Sequence, residues 1–219
     1  MRTTAKERFD QMLKRCSALL EFQGKQDIQE DIREDILRSV VVYLVSALDA
    51  YASDRFMENF TRHIKSHKLS KVEVELLEKS GVTVAVALEL MSKRTKRPYR
   101  IIRTYVENHF SKMSMQSFNS INSLYKYLGL EHIVDDAIKK ADRKTLPVKI
   151  NAMLKRRHSI VHEGDYDGNH KLRTINFTDV NKWLNATSML VESMDAIVEQ
   201  CVNNNCKKNE ARNKKRRLK

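Results

Sequence analysis

The chain has 219 residues and a mass of 25.6 kDa, which suits one domain and is long enough to bury a core. Its five Gly and two Pro leave few of the turn residues that sheet-rich folds need, which disfavours a β-sandwich or barrel. The longest apolar run, residues 40–48, is far shorter than the ~20 apolar residues that cross a bilayer. Because the first residues also lack the apolar core of an export signal, we expect a cytoplasmic protein with no membrane span.

The cysteine pattern argues against two classes of protein, and the positive charge is concentrated at the end of the chain. The three cysteines are an odd number without CxxC spacing, which argues against a disulfide framework and a zinc knuckle. The formal net charge is +13, and residues 207–219 carry +7 of it, with eight Lys or Arg against one Glu. We expect residues 1–206 to form a single domain and 207–219 to be a disordered basic tail, either an arm for phosphates or a solubilising end.

Helical periodicity begins at the first apolar residues. Apolar side chains from Phe9 to Leu20 recur at helical spacing and predict a helix that ends near Gly24. Asp27 is the expected cap of a longer helix, which extends to about Phe60. Its centre, VVVYLVSALDAY, is apolar nearly all round and must be covered on several sides, as in the central helix of a bundle. The β-branched run could instead be a buried strand, but no second strand candidate pairs with it.

The middle of the chain has weaker periodicity and more charge. A shorter amphipathic stretch from Ser70 to Met91 is broken by Gly81, and Pro98 is expected to begin a new helix. We interpret residues of about 64–116 as a helical insertion into the bundle.

The last part of the chain again shows long apolar stripes and no internal repeat. Four helices are predicted here: one that ends before Gly129, one over residues 130–141, one from Pro147 to Gly164, and a long final helix capped by Thr178 or Asp179. The fold class is therefore all-α, a helical bundle with a long central helix and a helical insertion.

One short segment, residues 154–165 (LKRRHSIVHEGD), combines residues that could carry chemistry at a helix end. Arg157 is followed by the polar His158, and His162 comes after four intervening residues. This pattern resembles the motif of the HEPN superfamily, in which Arg, a polar residue, a short apolar run and His precede the final long helix of an all-α bundle. The resemblance covers roughly residues 28–63 and 117–203.

The resemblance is nearest to the RiboL-PSP and MAE-type branches of HEPN and does not choose between them. Family members often have Gly directly after the motif His, whereas this chain has Glu163 before Gly164.

The resemblance implies a metal-independent endoribonuclease without a cofactor. Arg157 and His162 would be catalytic and His158 supporting, in a homodimer whose two motif copies meet in one cleft. Such proteins are often toxins or anti-phage defence effectors, so an antitoxin or defence-system partner protein is also expected. In the mechanism that we infer, a 2′-OH attacks the adjacent phosphorus, His162 moves the proton, and Arg157 neutralises the growing charge, which yields a 2′,3′-cyclic phosphate.

Helix geometry constrains this site. At 100° per residue, Arg157 and His162 on a straight helix point about 140° apart, so one helix cannot easily aim both at one phosphate. Either the last turn unwinds or two chains cooperate. Asp49, which interrupts the apolar centre of the long helix, could orient Arg157, although such an Asp is more often a satisfied core polar group or faces solvent.

Three alternatives stay open for the motif. It could be an ordinary solvated helix end, with His162 near the last carbonyls. His158 and His162 could be metal ligands with oxygen from Glu163, Asp165 or Asp167, but no third ligand has a fixed helical spacing, so we predict no metal. The chain could also be a non-catalytic HEPN-like module that binds RNA or a protein, for instance as a nucleotidyltransferase-type antitoxin.

Basic residues outside the catalytic pair are expected to contact RNA phosphates, and Tyr99 and Tyr105 lie near the basic run of residues 93–103, where they could stack on bases. Charged faces of helical proteins are often only solvated, and that reading also stays open. The predicted RNA-binding residues are Arg94, Arg97, Arg100, Lys149 and Arg156.

Overall fold

The computed structural model describes residues 3–25, 27–66, 68–92 and 97–217, those from 205 onward by their backbone alone. Within these ranges the chain is all-α, and one isolated β-bridge joins Tyr166 and Leu172. The α-helices of the described residues are α1 (Ala5–Gln23), α2 (Glu30–Ser66), α3 (Lys71–Lys79), α4 (Val84–Met91), α5 (Pro98–Phe110), α6 (Phe118–Tyr125), α7 (Ile133–Ala141), α8 (Leu146–Glu163) and α9 (Phe177–Arg217), and a 3-10 turn, Lys126–Leu128, follows α6.

Helix α2 is the central helix, as predicted. Helices α1, α5, α8 and α9 all pack on it. By length and composition alone, its portion Glu30–Lys65 could span a membrane. More than half of the most apolar window is buried inside the bundle, so core packing accounts for this composition. Its fully buried apolar side chains include Val40, Val41, Leu44, Leu48, Tyr51, Phe56 and Phe60.

Two predicted helix starts are wrong. Helix α2 begins at Glu30 and not directly after Asp27. The cap of α9 is Asn176, because its Oδ1 accepts the amide of Asp179 at 2.9 Å and its Nδ2 donates to the Asp179 carboxylate at 2.9 Å. Thr178 therefore lies inside the helix that it was expected to cap.

The insertion contains α3, α4 and α5. Gly81 has φ +89, which allows the sharp turn between α3 and α4. Pro98 begins α5 as predicted, and Phe110 at the other end of α5 packs edge-on against Phe56 of α2, with ring centroids 5.4 Å apart. Helix α4 has no buried residue.

The basic segment that was predicted to be a disordered tail begins inside α9. The backbone of residues 207–217 continues this helix through Arg217. Neither Gly nor Pro occurs between residues 198 and 217, and extending an existing helix is easier than nucleating one. The backbone therefore differs here from the predicted tail.

Cys16 provides a test of the packing of α1 against α2. Its side chain is fully buried, and burial raises the pKa of its thiol to about 11. We expect iodoacetamide at pH 8 to leave Cys16 unmodified in the folded protein and to alkylate it in guanidinium, because the thiolate is the reactive form. Peptide mapping by mass spectrometry measures both samples. Rapid alkylation of Cys16 in the folded protein would contradict this packing.

Candidate active site

The motif helix α8 turns one apolar face towards the bundle, and Arg157 lies on that face. Leu146, Ile150 and Met153 are buried at the helical spacing of a core-facing stripe. Arg157 and Ile160 continue the same spacing and are half-buried. The side chain of Arg157 therefore leaves α8 on the side of the bundle and not on the side most open to solvent.

The guanidinium of Arg157 is not committed to another group of the described chain. Its Nε is buried and has no hydrogen-bond partner among the described residues, and no described carboxylate forms an ion pair with it. A buried donor without a partner costs free energy, and most such donors in proteins are satisfied. Arg157 is thus a cation with free donors, which is what an oxygen of a bound anion requires.

The two motif histidines form an exposed pair on another side of α8. The rings of His158 and His162 have centroids 4.6 Å apart and are tilted by 43°. Helix α8 stays helical through Glu163, so its last turn does not unwind before His162. Arg157 and His162 are therefore separated by about 140° around the helix and by roughly 7.5 Å along it. Of the two predicted ways to bring them together, unwinding of the last turn is not seen in this helix.

Gly164 ends α8, as predicted, in the left-handed conformation. Its φ is +64, and a Cβ at this position would come within 3.3 Å of the ring of Tyr166. Asp165 has φ +64 as well, a conformation that Asp adopts more readily than most residues. The amides of both residues donate to the carbonyl of Ser159, which satisfies a helix-end acceptor.

The carboxylate of Asp165 is fully buried and holds two arginines from different helices. Its Oδ2 accepts Nε of Arg38 on α2 at 2.9 Å and Nη2 of Arg156 on α8 at 2.7 Å. The same two guanidinium groups donate to the carbonyl oxygen of Arg173, at 2.7 and 3.0 Å. This cluster of Arg38, Arg156 and Asp165, which we call the Asp165 cluster, joins α2, α8 and the loop after α8.

Burial and pairing act on Arg38 in opposite directions. Burial lowers the pKa of its guanidinium, but hydrogen bonds and the charges of Glu34 and Asp165 outweigh burial, so the pKa is raised. The arginine therefore stays charged in the folded protein. Sequence analysis missed Arg38, although an arginine two residues before the apolar run of the central helix is a usable signal for a buried partner.

Two residues predicted for the site have other contacts. Arg156 was predicted to bind RNA, but its guanidinium lies against Asp165 and donates to the carbonyl of Thr174, at 2.9 Å, as well as to that of Arg173. Asp49 was predicted as a possible orienter of Arg157, but its Oδ1 accepts the amide of Met115 at 2.9 Å and its Oδ2 accepts the side chain of Gln116. Asp49 thus anchors the segment before α6.

The other predicted RNA contacts fall in two places. Lys149 is half-buried and lines a groove of about 300 Å³ between α8 and α9, together with Arg143 and Lys182. Arg97 and Arg100 line a different groove at the start of α5. Arg94 lies outside the described residues.

The alternative metal site lacks converging ligands in the described part of the chain. No group of three His, Cys, Asp or Glu side chains that could hold a metal ion occurs there. Asp165, one of the predicted oxygen donors, is bound to Arg38 and Arg156.

We expect the Asp165 cluster to dominate the stability of the helix end. Asp165→Asn should lower the free energy of unfolding by about 3–5 kcal/mol, because it leaves two largely buried guanidinium groups without their shared anion. Asp35→Asn is the matched control: Asp35 bonds the same Arg38 at 3.1 Å, but its side chain is 74% exposed, so its loss should cost less than about 1 kcal/mol. Denaturant unfolding measures both variants, and equal losses would contradict the assigned role of Asp165.

Comparison with known proteins assigns the chain to a family. A family model described as RiboL-PSP-HEPN matches residues 10–200. This range includes the central helix, the insertion, the motif helix and α9 as far as Gln200. No curated protein and no solved structure matches the chain. The match confirms the predicted HEPN superfamily, and RiboL-PSP is one of the two branches that the sequence left open. The chain belongs to the RiboL-PSP-HEPN family.

Proposed function

We propose that this protein is a metal-independent endoribonuclease in which Arg157 and His162 act on RNA. The observation that carries the proposal is the uncommitted guanidinium of Arg157 in the last turns of α8, near an exposed histidine pair. The family supports the general role, because HEPN domains are commonly associated with ribonuclease activity.

The substrate supplies its own nucleophile in this mechanism. The 2′-hydroxyl attacks the adjacent phosphorus, the bond from O2′ to phosphorus forms, and the bond from phosphorus to O5′ breaks. His162 takes the proton of the attacking hydroxyl or delivers one to the leaving oxygen, because an imidazole nitrogen can serve as general base or general acid. The guanidinium of Arg157 donates to the oxygens on which negative charge grows. The products are a 2′,3′-cyclic phosphate and a free 5′-hydroxyl.

Two copies of the chain complete one site. Because Arg157 and His162 diverge on a straight helix, Arg157 of one copy would act with His162 of the other across an isologous interface. Val148 supports such an interface, since it is 70% exposed and lies only about 40° from His162 around α8. Covering this side chain with a second copy would stabilise a homodimer.

The proposal extends to the biological setting. A nuclease that cleaves RNA in the cytoplasm harms its own cell unless it is controlled. We propose that the protein is a cytoplasmic toxin or anti-phage effector. An antitoxin or another defence-system protein would then restrain it.

A second candidate function is a non-catalytic module that binds RNA or a partner protein, such as a nucleotidyltransferase-type antitoxin. Helix α4 favours it: Val84, Leu88 and Met91 lie at helical spacing and are 77%, 64% and 82% exposed. An apolar face without a covering element is typical of a docking helix.

Mixing two inactive variants tests the two-chain site. We expect Arg157→Ala and His162→Ala each to fold and to abolish cleavage of single-stranded RNA. A co-expressed mixture should recover about a quarter of the wild-type rate, because about half of the dimers are then mixed and each mixed dimer has one intact site of two. Thermal unfolding of each variant controls for the fold. Folded, dimeric mixtures without activity would contradict a site shared in this way.

The nucleophile can be tested with modified substrate. If the 2′-OH attacks, cleavage should survive excess EDTA, and DNA of the same sequence should remain uncut. One 2′-deoxy nucleotide 5′ of a scissile phosphate should block that bond alone, while neighbouring bonds still break. Gel analysis of end-labelled RNA measures each bond. Activity lost to EDTA and restored by zinc or manganese, or cleavage at the deoxy position, would contradict the role of His162 as acid or base.

A further inference from the structure

A groove of about 560 Å³ lies where the start of α5 meets the end of α2, separate from the motif helix. Its cationic lining residues are Lys65, Arg97, Arg100 and Arg103. Its acid, Glu107, accepts Nε of Arg103 at 2.7 Å and is thereby neutralised. Among the described residues no carboxylate pairs with Lys65, Arg97 or Arg100, so the groove carries a local excess of positive charge.

The backbone at this place adds further donors. Helix α5 starts at Pro98 without a side-chain cap and without an acid in its first turn. First-turn amides of a helix lack intrahelical partners, and its N-terminus carries partial positive charge. Because Arg97, Tyr99 and Arg100 all line the groove, this uncapped start lies at its wall.

Two side chains give the groove the chemistry of a binding site. The hydroxyl oxygen of Thr61 lines it, is buried, and has no hydrogen-bond partner in the described part of the chain. The Nζ of Lys65 lies 4.3 Å from the centre of the Tyr99 ring and holds the aromatic side chain at the groove. The ring is still 37% exposed, so it offers a surface for a base.

We infer that this groove binds the phosphates of a single-stranded RNA chain, as a second contact of the substrate that the proposed ribonuclease acts on. Arg97 and Arg100, the cations of α5 without a carboxylate partner among the described residues, are separated by roughly 4.5 Å along the helix, which exceeds the phosphate repeat of about 3.4 Å along a stacked strand, and Lys65 adds a third cation from α2. The cations therefore span more than one phosphate. A site for one small phosphate ligand would not need this length.

The place of the groove along α2 sets the length of RNA that it serves. Lys65 lines the groove, whereas Arg38 on the same helix is bonded to Asp165 at the end of α8. The two positions are about 40 Å apart on a straight helix. A strand that reaches from the groove to the motif needs roughly a dozen stacked nucleotides. The groove should therefore strengthen the binding of RNA that is long enough to reach both places and add nothing to the binding of very short RNA at the motif.

Binding to a cleavage-deficient chain tests the groove. In a His162→Ala background, Arg97→Gln with Arg100→Gln should weaken binding of a mixed-sequence RNA of about 24 nucleotides at least tenfold, and should lower the slope of log affinity against log salt by about two. Binding of an RNA of about four nucleotides to the motif should not change. Lys14→Gln with Arg15→Gln, which removes two exposed cations of α1, is the charge-matched control and should change affinity less than about twofold. Fluorescence anisotropy at several salt concentrations measures each value.

Several outcomes would overturn the inference. Unchanged binding of the long RNA by the groove variant would do so, and so would an equal loss in the α1 control. Inorganic phosphate and AMP are the further probes: a groove variant that loses their binding but keeps the long RNA would assign the groove to a small phosphate ligand. If the wild type fails to cleave RNA but the groove variant alone loses binding, the groove stands and the ribonuclease proposal fails.

Discussion

The buried carboxylate of Asp165 between two arginines determines how the motif end of this protein is built. Removing three charges from water is costly unless they are paired, and Oδ2 of Asp165 accepts hydrogen bonds from both Arg38 of α2 and Arg156 of α8. The buried Oδ1 of Asp165 and Nε of Arg156 have no hydrogen-bond partner among the described residues. The acid can reach both only because the chain leaves α8 through two consecutive left-handed residues. The helix therefore ends directly after the turn that contains His162.

This constraint divides two adjacent arginines between two roles. Arg156 is held by Asp165 and two backbone carbonyls through its Nη2, although its buried Nε also lacks a partner. Arg157, which is about 100° further around α8, has no hydrogen-bond partner for its Nε and no ion pair among the described residues. The rigid helix end also keeps His162 on another side of α8, which one chain cannot correct without unwinding the helix. In the proposed mechanism, each copy supplies Arg157 to one site and His162 to another. A complete site therefore forms only when two copies associate. Control of assembly would then be control of activity.

The helices and their order could be predicted from apolar spacing, and the end of α8 from Gly164, because these signals are local. The partners of buried polar groups could not. Asp165 and Arg38 are 127 residues apart, and spacing along α8 does not say which of Arg156 and Arg157 an acid beyond the helix will take. Asp49 was predicted on the correct helix, but the groups that donate hydrogen bonds to it are in the segment before α6. Which neighbour covers a given side of a central helix is decided by three-dimensional packing and not by spacing along the sequence.

The most direct test of the central claim is the chemistry of the RNA ends. Mass spectrometry of oligonucleotides cut by the wild-type protein reads both ends of the broken bond. The account predicts 2′,3′-cyclic phosphate on one fragment and 5′-hydroxyl on the other, because the substrate's own hydroxyl attacks the phosphorus. Fragments with 3′-hydroxyl and 5′-phosphate ends would show that water is the nucleophile and would contradict the mechanism assigned to Arg157 and His162.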